Sequence, residues 1–73
     1  LFTDEIYEFD YGQNMVCIDI GMNVGYSALL LAARPDVEKV YGFEPFAGTF
    51  QKALQNFVHN PQLSKKIVPI NTG

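Results

Sequence analysis

The stretch C-I-D-I-G-M-N-V-G-Y-S, residues 17–27, decides how this chain is read. An apolar run carries one acid, Asp19, and stops at Gly21. A second glycine, Gly25, follows four residues on, and then comes Y-S-A-L-L-L-A-A-R, residues 26–34, rich in helix formers. Met15, Val16, Cys17 and Ile18 are continuous rather than alternating, which fits a strand buried on both faces, as in a parallel sheet. Gly21 lets the backbone turn sharply with no side chain in the way. Gly25 lets the helix start close to the strand or to a ligand. A strand, a glycine turn and a helix place a ligand site at the carboxyl edge of a parallel sheet, with the first helix amides facing the same crevice. Asp19 is the odd residue of the strand. Burying its carboxylate without a partner would be costly, so it is expected to accept hydrogen bonds from loop amides or to meet a cationic ligand group.

Outward from this stretch the pattern repeats. Pro35 stops the first helix, because the residue before proline disfavours helical geometry. Arg34 is expected in its last turn, where a cation suits the helix dipole. K-V-Y-G-F-E, residues 39–44, reads as a second strand rich in Val and aromatics. T-F-Q-K-A-L-Q-N-F-V, residues 49–58, places Phe50, Ala53, Leu54, Phe57 and Val58 at helical spacing, an amphipathic helix ended by Asn60-Pro61. K-I-V-P-I, residues 66–70, reads as a third strand, and Pro69, which cannot donate to a ladder, puts it at a sheet edge. Gly12-Gln13-Asn14 marks a turn before the first strand. Asp4, Glu5, Glu8 and Asp10, interleaved with Leu1, Phe2, Ile6, Tyr7 and Phe9, make residues 1–14 a lead-in surface segment with one apolar face. Lys65-Lys66 reads as a solvated loop. The expected fold is therefore α/β and Rossmann-like, a partial doubly wound parallel sheet of order β-α-β-α-β.

Composition narrows the classes of function. The chain has 73 residues, of which 48% are hydrophobic. A chain this short buries only about 60% of the surface its unfolded form exposes, so that much apolar material reads as a piece of a larger core. It begins at Leu1 rather than methionine, and the expectation is the N-terminal part, residues 1–73, of a single larger domain. Within that view the first strand lacks a neighbour on one side, and its open edge is expected to invite self-association. The net charge of −3 and the lack of a basic patch argue against nucleic acid. One cysteine forms no internal disulfide, and Cys17 in an apolar run reads as a small buried thiol. His59 reads as a surface residue at a helix end, and no His or Cys cluster indicates a metal site. The apolar runs are too short to span a membrane and no signal peptide is visible, so the expected location is the cytoplasm.

Glu44 supplies the second half of the site. It ends the second strand 23 residues after Gly21. An acid about 20 residues past a glycine turn is placed to take both hydroxyls of a ribose, since a carboxylate has two acceptor oxygens. A nucleoside-containing ligand follows. The dinucleotide pattern G-x-G-x-x-G is not met: residues 21–25 read G-M-N-V-G, without the middle glycine that lets a pyrophosphate approach, and no P-loop lysine is present. A ligand without phosphates fits better. S-adenosylmethionine is one, and its cationic groups suit Asp19.

V-C-I-D-I-G-M-N-V-G-Y-S-A-L-L-L-A followed by V-Y-G-F-E-P-F-A-G-T-F-Q-K-A-L-Q-N-F-V-H-N resembles the class I S-adenosylmethionine-dependent methyltransferases. The nearest likeness is to the FkbM type, whose core reads roughly D-I-G-A-N-x-G-Y, then F-E-P, then a helix ending in asparagine. The resemblance covers about residues 12–70. It implies that Asp19, Gly21, Asn23 and Gly25 cradle the methionine part of S-adenosylmethionine, that Glu44 holds its ribose, and that Pro45 and Phe46 lie near its adenine. It also implies methyl transfer to a small-molecule or sugar acceptor, through oxygen, with acceptor contacts drawn from later strands and loops; no residue here is assigned as general base. Met22 stands where the family often has alanine, and Ala47-Gly48 replaces a polar start of the second helix. Two other readings remain beside this one: part of an NAD-dependent oxidoreductase, and a Rossmann-like interaction module without catalysis. Residue by residue, the glycines could serve only a tight turn, Asp19 or Asn23 could cap the helix, Glu44 could be a solvated strand end, and Tyr26 is expected to pack.

Overall fold

A computed structural model describes residues 5–11 and 14–72. Four strands form one mixed sheet in chain order: β1 (Glu5–Tyr11), β2 (Asn14–Ile20), β3 (Val37–Phe43) and β4 (Ile67–Ile70). Between them lie α1 (Tyr26–Ala32), α2 (Ala47–Val58) and the single turn α3 (Pro61–Ser64). β2, β3 and β4 run parallel, with Cys17 opposite Val40 and Val40 opposite Ile67. The alternating α/β order is thus as the sequence indicates.

The lead-in segment differs from expectation. β1 pairs antiparallel with β2, from Glu5 opposite Ile20 to Tyr11 opposite Asn14. The sheet is therefore mixed rather than purely parallel, and the outer edge of β2 is occupied. The open first-strand edge expected from the sequence is not there; β1 is the edge strand instead. The turn assigned to Gly12-Gln13 and the apolar positions Leu1 and Phe2 lie outside the described residues.

The core is one row of strand residues beneath the helices. Cys17, Val40 and Ile67 face Ala28, Leu29, Leu31 and Ala32 of α1 and Ala53 and Phe57 of α2. Strand alternation sends the next residues to the other face. There Tyr7, Ile18, Tyr41 and Val68 form one row and Ile20, Phe43 and Ile70 another. Ile20 is 41% exposed and Tyr7 47% exposed, so this face is apolar and lacks a cover among the described residues. Burial and nearby Glu8 push the Cys17 thiol above its ordinary range, so it is an inert core group.

Local chemistry explains the ends of the elements. α1 stops at Ala32, so Arg34 lies beyond it rather than in its last turn. Arg34 forks onto Asp36 (2.8 and 3.1 Å) and reaches Glu8 of β1 (3.1 Å), tying the added strand to the α1–β3 loop. Two nearby acids outcompete the weak pull of a helix end. Tyr26, expected to pack, is exposed, as is Leu30 one turn on. In α2, Phe57 is buried and Phe50 and Leu54 pack against the core, while Val58 at the end of the stripe is exposed. Pro61 does more than end α2. It starts α3, where its missing amide is no loss. Lys66, half-buried, donates to the Arg34 carbonyl (3.2 Å) instead of lying in a solvated loop.

β4 is an edge strand, as its proline requires. The amides of Val40 and Glu44 donate to the carbonyls of Lys66 and Ile70. The even-numbered residues of β4 therefore face β3, and Pro69 turns its nitrogen outward, where no ladder bond is lost.

Candidate functional site

The carboxyl ends of β2 and β3 carry two loops, residues 21–25 and 44–46, held together by hydrogen bonds. The amides of Gly21 and Met22 both donate to the Phe43 carbonyl, at 2.9 and 3.0 Å. This double anchor requires the chain to reverse at once after β2, and Gly21 does so with φ +77°. Asn23 has φ +58°, a left-handed conformation that asparagine tolerates better than most residues. Gly25 has φ +91° and precedes the first residue of α1.

Gly25 serves a close approach of α2. A Cβ there would lie 2.6 Å from Cε1 of Phe57 and 3.3 Å from the Ala53 Cβ. The glycine lets α2 press against the loop. Gly42 has the matching role inside β3, where a Cβ would overlap the Met22 sulfur. Met22, where the resemblance led one to expect alanine, is 1% exposed and fills the space that Gly42 leaves.

Glu44 is not a solvated strand end. It is 4% exposed. Its Oε1 accepts the Asn23 amide (2.9 Å) and its Oε2 the Phe46 amide (3.1 Å). One carboxylate thus clamps both loops, and each oxygen keeps a further lone pair for another donor. Its own amide joins the sheet through the Ile70 carbonyl, and Asn71 Nδ2 donates to its carbonyl (2.7 Å).

Asp19 is fully buried and accepts the Ser27 hydroxyl at 2.6 Å. Neither Asp19 nor Asn23 caps α1. Gly25 holds the N-cap position, with no side-chain cap bond. At zero exposure Asp19 can act on a bound group only through its partners, of which Ser27 is one.

Beside the loops is a cavity of about 540 Å³ lined by Ile18, Ile20, Gly21, Phe43, Pro45 and Thr72. It is apolar, and none of the described residues that line it is cationic. Pro45 borders it, while Phe46 is 60% exposed and does not. Of the residues singled out from the sequence, Gly21, Asn23, Glu44, Pro45 and Phe46 gather around the two loops, and Asp19 and Gly25 support them from the helix side. Sequence reasoning missed Asn56, whose Nδ2 donates to the Val24 carbonyl at 2.8 Å. The available signal was its place one turn after Ala53 and next to Phe57, a polar residue on the inner side of an amphipathic helix. His59 is exposed at the end of α2, and among the described residues no cluster of His, Cys, Asp or Glu is placed to hold a metal.

Neither the family models nor the curated proteins searched for similarity gave a match to this chain. No helix among the described residues is long and apolar enough to cross a membrane.

Proposed function

We propose that this chain is the cofactor-binding part of an S-adenosylmethionine-dependent methyltransferase with a doubly wound fold, acting on a small-molecule or sugar acceptor in the cytoplasm. The observation that carries the reading is the Glu44 clamp beside an apolar cavity. A buried carboxylate, with a spare lone pair on each oxygen, stands between Phe43 and Pro45, two of the described residues that line an apolar space with no cationic side chain among them. That combination suits a ribose diol joined to a flat apolar base without phosphates. Glu44 would take the ribose hydroxyls and Pro45 would flank the base. The backbone of residues 21–25 would cradle the amino-acid end, with Asp19 and Ser27 fixing it from below. When bound, the cofactor supplies an electrophilic methyl carbon on a sulfonium. The residues here hold and orient it, and positioning of this kind is a large share of catalysis in a displacement reaction.

The NAD reading is disfavoured by a specific feature. Asn23 occupies the place of the middle glycine, whose lack of a side chain is what lets a pyrophosphate approach the backbone. Calorimetric titration with S-adenosylhomocysteine and, separately, NAD tests the assignment. The expected result is binding of S-adenosylhomocysteine alone, weakened about 10- to 100-fold in Glu44→Ala. Binding of NAD alone would overturn it. Binding of neither by the folded protein would favour an interaction module.

A further inference from the structure

The loop at the end of β2 is threaded by one continuous chain of hydrogen bonds. The Glu44 carboxylate accepts the Asn23 amide (2.9 Å). On the other side of that same peptide, the Met22 carbonyl accepts the Gly25 amide (2.9 Å). Across the Gly25 peptide, the Val24 carbonyl accepts Asn56 Nδ2 (2.8 Å). Both loop peptides are therefore held at both ends. Neither can flip without losing two bonds, and the left-handed residues Asn23 and Gly25 are where such flips would be easiest. The chain runs from the acid assigned to the ligand to an asparagine on α2, and hydrogen bonds in series polarise one another. Asn60 Nδ2 donates to the backbone carbonyl of Asn56 (2.9 Å) and makes no bond to the Asn56 side chain or to the loop.

We infer that Asn56 is a positioning residue of the site: through the Val24 and Met22 carbonyls it fixes the glycine loop and the Asn23 amide that orients Glu44. Asn56 touches no ligand. It keeps the Val24 carbonyl turned toward α2, away from the strand edge where that dipole would oppose any acceptor group entering the crevice. The close seat of Phe57 on Gly25 sets the distance, and Asn56 sets the orientation. The site role rests on the methyltransferase reading; the control of the loop does not.

The two parts separate in one experiment on the protein. Asn56→Asp removes the donor at nearly constant shape, and Asn60→Asp adds the same charge one turn away without touching the loop. Hydrogen exchange and amide shifts are recorded without ligand. In Asn56→Asp the Gly25 amide is expected to lose about tenfold in protection and to shift in ¹⁵N, with Asn23 following, while the β2–β3 ladder is unchanged. Asn60→Asp should leave both amides as they are. Asn56→Ala serves if the aspartate variant does not fold. Unchanged protection at Gly25 and Asn23, or equal loss throughout β2 and β3, would overturn the inference. With S-adenosylhomocysteine as probe, Asn56→Asp should bind about tenfold more weakly, and equal affinity would remove the site role. If the unaltered protein binds none while the loop amides still respond, the methyltransferase reading falls and the positioning role stands.

Discussion

The two faces of the sheet are built from the same kinds of residue and are used differently. On the helix side, Cys17, Val40 and Ile67 are sealed under α1 and α2, and Asp19 and Glu44 are buried there or at the adjoining edge with hydrogen-bond partners. On the other side, Ile18, Ile20, Tyr41 and Phe43 stay partly exposed, and Ile18, Ile20 and Phe43 border the cavity. The difference teaches that apolar content alone does not locate the specific structure. Close packing and polar connection occur together on one face, and the other offers area without constraint. Substitutions on the helix side should therefore be felt sharply and those on the bare face weakly.

The largest effect is expected for Gly25→Val. It combines a left-handed backbone with overlap onto the Phe57 ring, and should cost about 3–5 kcal/mol, read from urea unfolding. A variant as stable as the unaltered protein would break the comparison at its strongest point. Next comes Glu44→Gln, which keeps the shape but turns one acceptor into a donor facing an amide, and should cost about 1–3 kcal/mol in the same assay. Ile20→Ser on the bare face should cost under about 1 kcal/mol, since much of that side chain is already in water. A loss as large as that of Glu44→Gln would show that the bare face is under equal constraint.

The smallest effect belongs to the exposed ion pair of Arg34 with Asp36. Arg34 beside Asp36 holds the Asp36 carboxyl below its usual range. A depressed carboxylate contributes stability above its unfolded value and loses it as pH falls through the folded one. Thermal melts near pH 7 and in acid should therefore differ slightly less in Arg34→Ala than in the unaltered protein. Solvent and salt screen this pair, so an effect rivalling that of Glu44→Gln would contradict its place at the bottom of the series.

Much of the parallel part was legible because each element carries its own local signal. The continuous apolar run of β2, the helical spacing of α2 and the proline of β4 each rest on a few neighbouring residues. β1 was not legible in the same way. Glu8 and Asp10 alternate with Tyr7, Phe9 and Tyr11, a pattern that fits a surface segment with one apolar face as well as an edge strand. Pairing with β2 gives it strand form that its pattern does not announce. At the site, the glycines and Glu44 were readable because turns and isolated acids are conspicuous. What they touch was not. Gly25 answers to Phe57, Gly42 to Met22 and Val24 to Asn56, contacts that depend on how α2 and the loop are brought together in space.

Pro69 has a consequence for how copies of this sheet could join. Stacking strands into a long polymer needs a donor-bearing edge on both sides, so that each added copy templates the next. Among the described strands, the β4 edge lacks a donor at its centre, while β1 lies at the opposite side. Two copies joined along β1 would present only their proline-bearing edges outward. Growth through backbone pairing would then end at a pair, which makes a single imino acid a brake on fibre formation.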